Sequence, residues 1–159
     1  MENVPNEQYD FRDLIREDMV FLGVQGGTWE ELLRETARLF LEAGAVKESY
    51  ADALIERETN YPTGLYLGDV NFAIPHTYPE HICTQQVAIV VPEKRVEFMC
   101  MEDPDEMVPV DLLVCPMMEK MDANVKILPS MMKYFAAEEN IRAIISAADA
   151  AEVISLIRE

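Results

Sequence analysis

The chain has 159 residues, half of them hydrophobic, which suits one folded domain spanning 1–159 and excludes wholesale disorder. Its 13 basic residues against 30 acidic ones leave a formal charge of -17, a field that repels nucleic acid and anionic lipid and leaves two readings, plain solubility or a basic protein partner. No apolar run approaches the ~18 residues of a membrane span, the polar start MENVPNEQYD is not a signal peptide, and Cys83, Cys100 and Cys115, without C-x-x-C spacing, read as reduced thiols of a cytoplasmic protein with no zinc site.

Residues 1–18 are charged and weakly patterned, consistent with an arm or a first helix. The run MVFLGV (19–24) predicts a buried strand. Thr28 and Glu31 have the spacing of a capping box, and Leu32, Leu33, Thr36, Ala37, Phe40 and Leu41 recur at helical spacing up to a stop at Gly44. Ser49 and Asp52 open a second helix with Ala51, Leu54 and Ile55 inward, and Pro62 stops it. The period then changes: Val70, Phe72 and Ile74 alternate with Asn71 and Ala73 as in a strand, which Pro75 ends. QVAIVV (86–91) and VDLLVC (110–115) predict two further buried strands, VEF (96–98) a short one, and MEDPDEM an acidic loop. From Met121 onward the pattern is helical, with Val125, Leu128, Met132 and Phe135 on one face. Pro129 is awkward there, because a proline inside a helix removes a donor and clashes one turn back at roughly 3 kcal/mol. Asp149 and Glu152 predict a cap for a last short helix. Helices and strands interleave without repeats or linkers, so the expected class is α/β.

Both histidines, His76 and His81, fall in one stretch, YPTGLYLGDVNFAIPHTYPEH. Strand-end loops are where α/β proteins place their chemistry, and His76 stands at such an end, behind Pro75 and before Thr77. Upstream, ERETNYPTG supplies Arg57, Glu58, Thr63 and Gly64. A neutral imidazole is a usable nucleophile near pH 7, and a guanidinium, hydroxyls and glycine-flanked amides suit an incoming phosphoryl group. On residue chemistry alone, a lone histidine after a strand is more often structural or merely exposed. A metal held by His76 and His81 lacks a further ligand, serine hydrolysis lacks a G-x-S-x-G elbow, and no glycine-rich nucleotide loop occurs, so no metal or small cofactor is expected.

ERETNYPTGL followed by VNFAIPHTYPEH resembles the signature of the enzyme IIA domains of the bacterial phosphoenolpyruvate-dependent sugar phosphotransferase system, in the fructose/mannitol group. The P-T-G-L and I-P-H-T forms, with VEFMCMEDPDEMVPVDLLVCPMM, look most like the galactitol branch. The resemblance covers nearly the whole chain. It implies a mixed sheet of about five strands flanked by helices on both faces, the mannitol-type IIA fold. It further implies that the carrier protein HPr donates a phosphoryl group to His76, which passes it to a cysteine of a cognate enzyme IIB, with the membrane component IIC downstream. By motif position His76 is the phosphorylated nucleophile, Arg57 the phosphate partner, and Glu58 the carboxylate that holds the arginine or a nearby loop. Thr63, Gly64, Thr77 and Asn124 join as phosphate-binding candidates on their chemistry. Donor proteins of this family tend to be basic around their histidine, so an acidic rim here would steer encounter.

One departure stands out. Mannitol- and fructose-type members carry a second histidine near the start of the helix after the last strand, where this chain has Asn124. His81 is a possible replacement, though its Tyr-Pro-Glu-His turn points to the surface. Trp29 and the ten methionines read as core and gap filler, with Met99, Met101, Met117 and Met118 as the alternative lining of a partner face. A competing function is regulatory: the phosphorylation state of one histidine would tune binding to a target protein.

Overall fold

The computed structural model describes residues 9–159. A short 3-10 turn (Phe11–Leu14) leads into β1 (Ile15–Val24), followed by α1 (Trp29–Glu42), α2 (Tyr50–Asn60), β2 (Gly64–Leu65), β3 (Phe72–Ala73), β4 (Gln86–Pro92), β5 (Val96–Met99), β6 (Met107–Val110), β7 (Leu112–Met117), α3 (Met121–Phe135), α4 (Glu138–Ile145) and α5 (Ala150–Arg158). Five strands form a mixed sheet in the order β1-β4-β7-β3-β2, and β5 and β6 form a separate antiparallel hairpin. β1 runs parallel to β4 and β3 parallel to β7, while β4/β7 and β2/β3 are antiparallel.

Period-two alternation in the central strands splits the apolar residues between two layers. Ala88 and Val90 of β4, with Leu113, Cys115 and Met117 of β7, face a core built with Leu33, Phe40, Tyr50 and Leu54 from α1 and α2 and with Phe98 of the hairpin. Val87, Ile89 and Val91, with Leu112 and Val114, face the opposite core, built with Ile127, Met131 and Phe135 of α3 and with Ile141, Val153 and Ile157. Helices therefore cover both faces, as the α/β reading and the resemblance implied. No helix among the described residues is long and apolar enough to cross a membrane. The three cysteines are free thiols, Cys83 exposed and the other two buried.

The caps form with a common variation. Thr28 accepts from the Glu31 amide at 3.1 Å and Asp149 from the Glu152 amide at 2.9 Å. In both, the returning glutamate accepts from the residue before the cap, Gly27 or Ala148, instead of from the cap itself. Gly44 follows α1 at φ +77°, the left-handed stop that glycine adopts freely.

Several expectations need correction. For the reading of residues 1–18 as an arm or helix, 1–8 lie outside the described residues, and 15–18 belong to β1, which is an edge strand with exposed Arg16, Glu17 and Asp18. The strand expected over 70–74 forms ladder pairs only at Phe72 and Ala73, and Asn71 is fully buried, because both faces here are covered. Its amide oxygen accepts from Leu67 and Gly68, and its nitrogen donates to the Gly68 and Pro109 carbonyls. The strand expected over 110–115 is two, parted at Asp111, whose carboxylate takes a bidentate grip from Arg95 at 2.9 Å. Leu41 is 40% exposed instead of inward. In α3 the buried stripe is Ala123, Ile127, Met131 and Phe135; Val125 is 69% exposed. That helix runs unbroken through Pro129, which has no N–H to give the Val125 carbonyl, on the exposed side of the helix. Met117 and Met118 are buried, whereas Met101 is exposed.

Candidate functional site

The local backbone places His76 by ending β3 early. Ile74 and Pro75 are buried just beyond the ladder, and the chain then emerges, leaving the His76 ring partly buried. The ring Nδ1 lies 2.8 Å from the Ile74 carbonyl oxygen. A carbonyl oxygen only accepts, so Nδ1 carries the proton and Nε2 keeps its lone pair. Burial holds the His76 pKa below the ordinary 6.5; the bond to Ile74 works against this, and the Arg57 charge adds to it. The neutral ring is thus the resting form at pH 7.

His76 opens into a cleft of about 250 Å³ walled by Arg57, Thr77, Tyr78, Asn124, Met121 and Val125. Arg57 comes from the last turn of α2, and its guanidinium stacks 4.2 Å from the Tyr61 ring centroid and 5.6 Å from that of Tyr78. Among the described residues no carboxylate comes within ion-pair distance of it. Its charge is therefore held in place by aromatic faces while its N–H groups stay available. The Thr77 hydroxyl and the Asn124 Oδ1 are sheltered from solvent without a hydrogen-bond partner in the protein.

Glu58 points the other way. It is 1% exposed and bonds Thr63 twice over, accepting from its amide at 2.8 Å and from its hydroxyl at 2.9 Å. Burial pushes its carboxyl up to about 7, opposed by those Thr63 bonds and by the Arg57 charge. Of the two partners expected for Glu58, it holds the loop and not the arginine. Thr63 and Gly64 lie behind the cleft, not on its wall. The Thr63 hydroxyl is committed to Glu58 and accepts from the Ile74 amide at 3.2 Å. Gly64 meets the end of β5 so closely that a Cβ would sit 2.7 Å from the Met99 carbonyl oxygen.

His81 lines a neighbouring groove of about 620 Å³ that shares the wall of Arg57, Thr77 and Tyr78 and carries Asp52, Glu56 and Glu80. Its Nδ1 pairs with the Ser49 hydroxyl at 2.7 Å, which takes the serine away from capping α2. Among the described residues no three His, Cys, Asp or Glu side chains cluster as metal ligands. Sequence reasoning missed Tyr61, Tyr78, Met121 and Val125 as cleft and stacking residues. The signal was faint: exposed aromatics flanking an R-E pair, and an apolar residue off the stripe of α3.

Residues 13–159 match the model of the family described as phosphoenolpyruvate-dependent sugar phosphotransferase system, EIIA 2. The galactitol-specific EIIA component of Escherichia coli K12 is 31% identical over 98 residues, 62% of this chain and 65% of that protein, so the match spans just under two thirds of that relative. The mannitol-specific enzyme IIA component of Halalkalibacterium halodurans is 28% identical over 82% of this chain and 84% of its own length. Among solved structures, the mannitol IIA of Escherichia coli superposes with a TM-score of 0.72 at 22% identity, covering 90% of this chain and 98% of that one, which shows the fold. The same enzyme IIA in complex with phosphorylated enzyme IIB gives 0.72 at 21% identity, covering 91% and 96%.

Proposed function

The chain belongs to the EIIA 2 family of the phosphoenolpyruvate-dependent sugar phosphotransferase system, and on that premise we propose that it is a cytoplasmic phosphoryl carrier whose working atom is Nε2 of His76. The donor is the phosphohistidine of HPr, the acceptor a cysteine of a cognate enzyme IIB, and the sugar a galactitol-like hexitol imported through the membrane component IIC. The observation that carries this reading is the His76 ring, tied by Nδ1 to Ile74 and lining a cleft that also holds the Arg57 guanidinium.

In the transfer, a bond forms between Nε2 of His76 and phosphorus as the donor's nitrogen–phosphorus bond breaks. The bonding pair stays on the donor imidazole, and the Nδ1 proton of His76 does not move. The return step onto a thiolate breaks the new bond, and the pair returns to Nε2. Such transfers depend on alignment and charge stabilisation more than on covalent help from the protein. Arg57 supplies a guanidinium for the equatorial oxygens, and Thr77 and Asn124 supply further polar contacts. Asp52, Glu56 and Glu80 in the adjoining groove give a basic donor a local target, which speeds encounter without tight binding.

Incubation with labelled phosphoenolpyruvate, enzyme I and HPr tests the reading. The wild-type protein takes up acid-labile phosphate and His76→Ala does not; equal labelling of the variant removes His76 from the role. Chasing the labelled protein with a panel of IIB proteins separates carrier from regulator: transfer to a IIB supports the carrier, and retention against all of them supports the regulatory reading.

A further inference from the structure

The carbonyl that sets the His76 tautomer is itself set from behind. Ile74 is the first residue past the β3 ladder. Its amide donates to the Thr63 hydroxyl at 3.2 Å, and its carbonyl accepts from His76 Nδ1 at 2.8 Å. The hydroxyl has one proton, which it gives to the Glu58 carboxylate, leaving its lone pairs for the Ile74 amide. The second contact between the same two residues, from the Thr63 amide to Glu58 Oε2 at 2.8 Å, stops the threonine from turning away. Pro75 completes the arrangement, because a residue before proline is confined to extended conformations. With its amide tethered and its ψ restricted, Ile74 presents its carbonyl in one direction.

Each member is buried: Glu58 1%, Thr63 4% and Ile74 1% exposed. A carboxylate in the interior is costly unless paired, and this one has no cation of its own there. It is placed where its only evident service is to Thr63. We propose that Glu58 and Thr63 are positioning residues for phosphoryl transfer, acting through the Ile74 backbone to keep the proton on Nδ1 and the lone pair on Nε2 of His76. This rests on His76 as the phosphoryl acceptor but makes a separate claim about how its nucleophilic nitrogen is chosen. Above about pH 7, where Glu58 is mostly ionised, its carboxylate accepts only, so it forces the Thr63 hydroxyl to donate toward it and to accept from Ile74. Loss of that polarity frees the Ile74 peptide to rotate and lets the ring exchange tautomers.

The test reads the tautomer directly. With two histidines in the chain, ¹⁵N ring-nitrogen spectra hold only two sets of resonances, and His76→Ala assigns them. Wild type shows an Nδ1–H tautomer at His76 above its pKa. Thr63→Val, which keeps the shape and drops the hydroxyl, gains Nε2–H signal and accepts phosphate about tenfold more slowly or worse. Thr63→Ser restores both. Glu58→Gln has an amide group where an acceptor is needed and moves in the same direction as Thr63→Val; it carries the test alone where the valine variant does not fold. The proposal is overturned by a wild-type tautomer and rate in these variants, or by a rate loss that serine fails to rescue with the tautomer unchanged. Because the tautomer is read without any phosphoryl donor, labelling of His76→Ala would sink the carrier reading and leave this result standing.

Discussion

The two sides of the His76 ring are built by opposite rules. Behind it, Ile74, Thr63 and Glu58 are buried and hydrogen-bonded to one another. In front, Arg57 has no carboxylate within ion-pair distance among the described residues, and the Thr77 and Asn124 oxygens have no partner at all. A packed protein ordinarily satisfies its polar groups, so the contrast separates parts that hold from parts that wait. In the proposed function the rear fixes the ring and its bare nitrogen, and the front offers the Arg57 guanidinium to a group that arrives with its own oxygens.

The largest effect expected from breaking this contrast is on the front. Arg57→Ala, with its fold unchanged by circular dichroism, should accept phosphate roughly 10²–10³ times more slowly, the usual loss when one donor to a charged transition state is removed. Wild-type transfer in that variant would leave the cleft without its main attraction for phosphate.

On the rear, the consequence is thermodynamic. The Glu58 carboxyl stands at about 7 in the folded chain against 4.5 as an ordinary glutamate, so folding takes up a proton between those values. Stability is then full below pH 4.5 and declines as the pH rises to about 7, by at most roughly 3 kcal/mol, with no further loss from this group above that. Urea unfolding at pH 5 and pH 8 measures it: Glu58→Gln should lose less stability between the two than wild type does. An equal loss in both would assign the pH dependence to other groups.

Thr77→Val sharpens the contrast with two opposite signs. Removing a buried hydroxyl that has no partner should stabilise the fold by about 1 kcal/mol, yet slow phosphate acceptance several-fold, to about tenfold. A variant that is less stable and fully active would make Thr77 structural. The smallest effect is at His81, whose ring is occupied by Ser49 in the next groove. His81→Ala should label at the wild-type rate, and a large loss would restore it as the second phosphate partner.

The front was legible in the sequence and the rear was not. Arg57, His76 and Thr77 sit in short motifs whose chemistry is local, and the α/β class follows from apolar runs such as QVAIVV. Thr63 reads as a phosphate ligand, and Glu58 as a partner of the arginine or of a nearby loop, because spacing says nothing about which way a helix end faces; the fold turns Glu58 inward onto the loop, one residue from Arg57. The charged run at 15–18 hid a strand because edge strands carry charges that block further pairing. In α3 the stripe spaced by four, Ala123 to Phe135, competed with an equally apolar series containing Val125, and only packing against the sheet decides between them. That choice also put Val125 and Met121 beside the histidine, a neighbourhood no local pattern encodes.

The tight approach of Gly64 to the Met99 carbonyl carries a warning for any mutational map of this protein. Every side chain at that position drives a wedge between the sheet edge and the β5–β6 hairpin, and the disturbance reaches Thr63 through the next peptide bond. A saturation screen scored on phosphate labelling would rank Gly64 with the residues proposed to meet phosphate, although its intolerance is steric. Scoring the same library for protein abundance would sort the two kinds of intolerance apart.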